Sequence, residues 1–275
     1  MNKPSQTIVA YCGTRGSFSE QAARGLFPQA ELLACPSFRE AYEAAVKGNA
    51  EYALLPIENS YAGEVSSTMD LLYRGSLCIR DVYEMKVVQN LVGVKGATIE
   101  GIKTVISHPQ ALGQCAEYIA AHHFEEVTAE NTAFAAKQVA ELGSQTTAAI
   151  ASKACAKLYG LEVLAEDIAE SKENTTRFAL LSAVAPKKRK GERMILLFTV
   201  KDRSGALLEA LKILAAYGYN MKSLHSRPRK DQAWQYYFYV EAEGDGAETA
   251  LLRDLGECCT DVKIAGRYLP DQKVE

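Results

Sequence analysis

The sequence predicts an α/β protein that ends in a separate β-α-β-β-α-β module. Three observations carry this. Short apolar runs alternate with longer segments whose apolar residues recur at helical spacing, helix-start signals follow the runs directly, and a segment of proline and cations divides two textures of sequence. The first run is Thr7 to Tyr11, followed by a glycine-bearing turn and by Ser17-Phe-Ser-Glu20, a hydroxyl three residues ahead of an acid as a capping box requires. Ser37-Phe-Arg-Glu40 repeats that spacing ahead of a second helix. Tyr52 to Pro56 is another short run, and Ser107-His-Pro-Gln110 is a third box, so that strand, short loop and capped helix occur over 7–27, 103–122 and 148–159. Parallel sheets with crossover helices have this rhythm.

Ala183-Val-Ala-Pro-Lys-Lys-Arg-Lys-Gly191 combines a proline, four consecutive cations and a glycine, and reads as a solvated linker. Beyond it a strand is predicted over 194–201 and a helix over 205–217, with Leu207, Leu208, Leu211, Ile213 and Leu214 on its apolar face. Gly218-Tyr219-Asn220 is the stop, and a strand follows over 221–224. Trp234, Tyr236, Phe238 and Val240 alternate with Gln235, Tyr237, Tyr239 and Glu241, the period of a half-buried strand. A helix over 247–258 and a strand over 262–266 complete the split-βαβ order.

The length, 275 residues, suits two domains, and 48% hydrophobic with 24% charged residues excludes disordered, collagen-like and coiled-coil classes. A net charge of −3 supplies no basic field for nucleic acid or an anionic membrane, so neither is an expected partner. The seven cysteines are odd in number and form no C-x-x-C, which argues against a disulfide framework and a zinc site. With no signal pattern and no apolar stretch long enough to span a bilayer, a cytoplasmic protein is expected.

Nucleotide-cradling and zincin motifs are missing from the sequence, and four other segments carry the polar chemistry. Gly13-Thr-Arg-Gly16-Ser17 is a strand-to-helix turn that fits either an anion site at free backbone N–H groups or an ordinary capped helix. Leu54-Leu-Pro-Ile-Glu58-Asn59-Ser60 ends an apolar run in an acid, an amide and a hydroxyl, at the kind of strand end where α/β proteins bind ligands. In Ser107-His108-Pro109-Gln110, His108 reads as a structural hydrogen-bonder rather than a base, and Gln114 lies one turn beyond Gln110. Asn174-Thr175-Thr176-Arg177-Phe178 puts hydroxyls beside a guanidinium fork, a pairing suited to a small organic acid or to a turn with a surface arginine.

In this order the segments GTRGSFSEQAA, LLPIENSYAG, SHPQALGQC and NTTRFALL resemble the prephenate dehydratase family over 7–182, and the C-terminal module resembles a phenylalanine-sensing ACT domain. The resemblance implies a bilobal, periplasmic-binding-protein-like catalytic domain over 1–182, with one lobe near 1–81 plus 160–182 and the other near 82–159. A linker at 183–191 and a ferredoxin-like βαββαβ ACT domain over 192–275 would follow. It implies decarboxylative dehydration of prephenate to phenylpyruvate, without metal or organic cofactor. Thr176 would donate to the departing hydroxyl, Glu58 would relay a proton, and Arg177 would hold a carboxylate. Ser17, Asn59, Ser60, Ser107 and Gln114 would be neutral donors, with Thr175 and Phe178 completing the substrate site. Neutral donors suit a carboxylate that must lose its charge as carbon dioxide leaves.

Gly205, Ala206, Leu207, Asn220, His225, Ser226 and Arg227 would take the effector L-phenylalanine in a homodimer or homotetramer, although His225 stands where the family commonly has glutamate. Two alternatives are an arogenate dehydratase and a non-catalytic, amino-acid-responsive sensor. The intact Thr175-Thr176-Arg177-Phe178 segment argues against the sensor.

Overall fold

A computed structural model describes residues 7–274 apart from 186, 188 and 271. The chain forms two compact units. One holds the residues up to Val65, Glu84–Phe178 and the C-terminal end, and the other holds Ser66–Tyr83 and Ala179–Gln272.

The first unit begins with β1 (Ile8–Cys12), α1 (Phe18–Leu26), β2 (Glu31–Cys35), α2 (Phe38–Val46), β3 (Tyr52–Asn59) and β4 (Gly63–Glu64). At both helix starts the serine cap is formed, Ser17 Oγ accepting from Glu20 N at 3.3 Å and Ser37 Oγ from Glu40 N at 3.1 Å, but the reciprocal half of the box is not: Glu20 Oε2 accepts from Gly16 N at 2.6 Å and Glu40 Oε1 from the Ser37 hydroxyl at 3.1 Å. After α3 (Ser66–Arg74) and β5 (Cys78–Lys86), which begin in the second unit, come β6 (Asn90–Gly93), β7 (Thr104–Ser107), α4 (Pro109–Gln114) and α5 (Ala116–Ala121). Then follow β8 (Glu125–Thr128), α6 (Thr132–Leu142), β9 (Thr147–Ala151), α7 (Lys153–Tyr159), β10 (Glu162–Ala165) and β11 (Thr175–Ser182).

Within this unit one sheet has the order β11-β3-β1-β2, with β1 parallel to both β2 and β3. The other has the order β10-β6-β9-β7-β8. Neighbouring residues of its strands bury alternately into two cores, Leu91, Val105, Ala148 and Ile150 on one face and Val92, Ile106, Ala149 and Ala151 on the other. A sheet covered on both faces reads as a continuous apolar run, which is how β9 is written.

The third box is corrected. Ser107 is the buried last residue of β7, and the cap of α4 is His108, whose Nδ1 accepts from Gln110 N at 3.2 Å with Pro109 at the first helical position. The single helix expected after it is two, broken at Cys115 (φ −118°, ψ 19°).

The second unit continues with β12 (Arg193–Val200), α8 (Ala206–Ala216), β13 (Asn220–Pro228), β14 (Tyr236–Glu243), α9 (Glu248–Cys258) and β15 (Cys259–Tyr268). Its sheet order is β13-β14-β12-β15-β5. Met194, Leu196, Phe198 and Val240 pack against Leu214, Leu251 and Leu255 of the helices. The expected half-buried alternation of β14 is corrected as well: Trp234 lies outside the strand and is 89% exposed, while Tyr237 and Tyr239 of the opposite face are buried. The reason is α3, whose Tyr73 stacks on Tyr237 with centroids 4.2 Å apart and whose Asp70 accepts from the Tyr237 hydroxyl at 2.9 Å. The face of β14 that carries Tyr237 is therefore covered by α3.

Pro186 and Lys188 of the expected linker lie outside the described residues. Arg189 is not merely solvated: its two Nη atoms fork onto Asp81 at 3.0 Å each and its Nε meets Glu192 at 2.7 Å. Among the described residues no helix is long and apolar enough to cross a membrane.

Candidate active site

A cavity of about 630 Å³ opens in the first unit between its two sheets, a size suited to a small ligand. The starts of α1, α4 and α6 line it through Ser17, Phe18 and Ser19, through His108 and Gln110, and through Asn131 and Thr132. At α1 and α6 the first backbone N–H groups have no intrahelical acceptor, so partial positive charge reaches the cavity from two sides. Gly13 makes the close turn before α1. Its φ is +124°, and a Cβ there would stand 2.9 Å from Ser17 Oγ. No lysine or arginine is among the described lining residues, and their one acid is Glu130.

Thr176 and Phe178 lie two apart on β11 and so share its cavity face. The Thr176 hydroxyl is oriented by Asn59 at the end of β3, whose Nδ2 donates to Thr176 Oγ1 at 3.0 Å and to Asn174 Oδ1 at 2.9 Å. Asn59 cannot be turned over. Its Oδ1 accepts from Tyr61 N at 3.1 Å and Ala62 N at 3.0 Å, and backbone N–H groups only donate. Gln110 Nε2 adds a third donor at 3.1 Å. Because Thr176 Oγ1 already accepts a hydrogen bond, its own O–H is left to donate.

Of the residues singled out from sequence, Ser17, Asn59, Gln114, Thr176 and Phe178 meet at this cavity. Glu58 and Arg177 do not. Each precedes or follows a cavity-facing residue by one position, so each points to the other side of the sheet, where Arg177 Nη1 meets Glu58 Oε2 at 2.8 Å. Nothing in this placement brings Glu58 to Thr176, whose partner is Asn59. Ser60 and Thr175 brace the neighbouring loop: Ser60 Oγ donates to Glu173 O at 3.0 Å and accepts from Thr175 N at 2.9 Å. Ser107 is fully buried in its sheet, donating to Ile150 O at 2.7 Å, and lies off the lining.

The sequence reading overlooked Gln89, Asn131, Thr132 and Cys12 and set His108 aside as a base. Asn131 was detectable as an N-cap, since its Oδ1 accepts from Phe134 N at 2.8 Å. Gln89 carries no local signal. It stands between apolar runs and reaches the cavity only because β6 starts there. Burial lowers the pKa of His108, and because Nδ1 accepts a backbone N–H the ring proton sits on Nε2. Burial, followed by the charges of Cys35 and Glu40, pushes the Cys12 thiol up to about 11.

In the second unit Gly205, Ala206 and Leu207 line a smaller cavity of about 270 Å³ with Arg203, Trp234 and Phe238. Asn220, His225, Ser226 and Arg227 are not on it but along β13. His225 lies tilted beside Tyr239, and Arg227 reaches Ser66 Oγ at 2.6 Å, Asp70 Oδ1 at 3.4 Å and the Tyr237 hydroxyl at 3.1 Å. Burial alone would raise the pKa of Asp70, but Lys230, Tyr237 and Arg227 outweigh it and hold the carboxyl below its usual range.

A family model described as prephenate dehydratase matches residues 9–186, and one described as the ACT domain matches residues 194–259. Arogenate dehydratase/prephenate dehydratase 2, chloroplastic, of Arabidopsis thaliana is 34% identical over 281 residues, which span 97% of this chain and 74% of that protein. The crystal structure of prephenate dehydratase from Arthrobacter aurescens in complex with L-Phe has a TM-score of 0.88 at 28% identity, covering 96% of this chain and 90% of the other. A structure described as GqqA, a novel type of quorum quenching acylases, has a TM-score of 0.84 at 33% identity, covering 95% and 97%. The fold is thus the two-lobed, periplasmic-binding-protein-like α/β domain of these dehydratases followed by a βαββαβ module. The chain belongs to the prephenate dehydratase family and carries a C-terminal ACT domain.

Proposed function

We propose that this cavity carries out the aromatising dehydration of prephenate to phenylpyruvate, and the observation that carries the reading is the Thr176 hydroxyl held as a donor by Asn59. As the carboxylate leaves the ring carbon as carbon dioxide, its electron pair aromatises the ring and the opposite C–O bond breaks. The departing oxygen accepts a hydrogen bond from Thr176, and solvent supplies the proton that makes it water. The two carboxylates are met by the helix starts at Ser17 to Ser19 and at Asn131 to Thr132. Such neutral dipoles grip the ring carboxylate less firmly than a guanidinium would and so oppose its loss of charge less. Phe18, Phe38 and Phe178 supply apolar walls around the ring.

Thr176→Ala is expected to lower kcat by roughly 100-fold or more with KM changed less than about threefold, read from phenylpyruvate formation. A large rise in KM with normal kcat would reduce Thr176 to a binding group. Arogenate is the second reading, favoured by a lining without lysine or arginine. An acyl-transfer reading, prompted by the acylase relative, has less support: the one thiol among the described lining residues, Cys12, is held protonated by burial, and His108 Nδ1 is occupied as a helix cap.

The ACT domain, together with the L-Phe complex of the Arthrobacter relative, supports phenylalanine as effector near Gly205 to Leu207. β13 is an edge strand with Met221 and Leu224 partly exposed, which supports assembly into a homodimer or homotetramer through it. Seven unbridged cysteines support a reducing cytoplasm.

A further inference from the structure

Gln110 stands in the first turn of α4 and lines the cavity, yet the reaction gives its side chain no task. The helix start does not need that side chain, because His108 caps the Gln110 backbone N–H. Instead Gln110 Nε2 donates to Asn59 Oδ1 at 3.1 Å. α4 follows β7 of the five-stranded sheet and Asn59 ends β3 of the other sheet, so this bond joins the two sides of the cavity. One helical turn on, Gln114 Oε1 accepts from Asn174 Nδ2 at 2.9 Å and from Gln89 Nε2 at 3.1 Å. Asn174 Oδ1 in turn accepts from Asn59 Nδ2 at 2.9 Å. The amides of Gln110, Asn59, Asn174 and Gln114 thus form a ring that closes through α4.

Tyr61 N and Ala62 N can only donate, so Asn59 Oδ1 is the acceptor they share with Gln110, and Nδ2 is left to hold Asn174 and Thr176. Those two backbone groups belong to the turn of Asn59 itself and move with it. Gln110 comes from the opposite side, which also carries the start of α6, because the strand before that helix, β8, pairs with β7. In the reading on which this inference rests, the substrate carboxylates are met by the starts of α1 and α6, one from each side, while Thr176 belongs to the sheet of Asn59. The leaving hydroxyl therefore meets its donor only when the two sides keep their spacing. We propose that Gln110 is a positioning residue: by tying Asn59 to the side that carries α6, it holds the Thr176 hydroxyl in line with a substrate gripped from both sides. A displacement of about 1 Å at such a donor costs roughly 100-fold in rate, even when its cause lies away from the reacting atoms.

The test is initial-rate kinetics of the full chain, with whichever of prephenate and arogenate wild type turns over faster, for Gln110→Leu and Gln110→Glu in the wild-type and Thr176→Ala backgrounds. Gln110→Leu is expected to lower kcat roughly 10- to 100-fold with KM within about threefold of wild type. In the Thr176→Ala background the same substitution is expected to lower kcat less than about threefold, since there is no hydroxyl left to aim. Gln110→Glu keeps the size of the side chain and puts a carboxylate where a helix start favours one, so it guards against a folding failure of the leucine variant. Its oxygen meets Asn59 Oδ1 with no hydrogen between them, and kcat is expected to fall at least as far as in Gln110→Leu. A tenfold rise in KM with kcat retained would make Gln110 a substrate-binding group, and an equal loss in both backgrounds would separate it from Thr176. Either result, or a kcat near wild type in both variants, would overturn the inference while leaving the dehydratase reading intact. No turnover of either substrate by folded wild type would overturn both.

Discussion

Asn59→Asp is nearly isosteric and isolates the role of one N–H group. The new carboxylate keeps the contacts of Oδ1 with Tyr61 N, Ala62 N and Gln110 Nε2. Its second oxygen then faces Asn174 Oδ1 at 2.9 Å and Thr176 Oγ1 at 3.0 Å, where an N–H had stood. Thr176 can satisfy that oxygen only by turning its hydroxyl hydrogen toward it, which withdraws the donor from the substrate. If that donor acts on the leaving oxygen, its loss costs about 100- to 10,000-fold in kcat, with KM within about threefold of wild type. Asn174 Oδ1 loses its donor as well, and one buried unsatisfied acceptor costs about 1–3 kcal/mol. Thr175 O, which Asn59 Nδ2 also reaches at 3.3 Å, does not add to this, because Ser60 N still donates to it at 2.9 Å. At roughly 2–4 °C per kcal/mol the Tm should fall by about 2–12 °C. Steady-state kinetics with a thermal melt on the same preparation measures both. A variant that keeps kcat within threefold would refute the orientation of Thr176 by Asn59, whatever its Tm.

Arg177→Met should leave KM within about twofold and lower Tm by only a few degrees, since its ion pair with Glu58 is partly solvent-exposed and such pairs contribute about 0.2–1 kcal/mol; a tenfold rise in KM would return Arg177 to the role of carboxylate holder. For His108, burial lowers the folded-state pKa, so as pH falls below about 6.5 the unfolded chain takes up the proton first. The stability tied to its neutral form is therefore present above that pH and lost below it. Protonating Nδ1 also breaks the cap on Gln110 N, so an acid limb in kcat/KM is expected below pH 6.5 and should flatten in His108→Asn, a residue that caps but does not titrate. An acid limb unchanged in that variant assigns the titration to another group.

Most strands and helices, and part of the cavity's polar lining, are legible in the sequence. Capping at Ser17 and Ser37 depends on residues three apart, and the helix of the C-terminal module on leucines at helical spacing, so both are written locally. The resemblance likewise marks Asn59 at the end of β3, Gln114 at the end of α4, and Thr176 and Phe178 in the first half of β11, all on the cavity. Tertiary structure alone decided which way those strands faced. Moving one position along a strand reverses the side chain, and that single step sends Arg177 and Glu58 to each other instead of to the cavity and buries Ser107 in its sheet. The covering of Tyr237 by α3, more than 150 residues away in sequence, has no local trace that could have foretold it. The polarity of the amide chain from Asn59 to Gln89 is equally non-local, because it is set where four separate segments meet and two backbone N–H groups allow only one orientation.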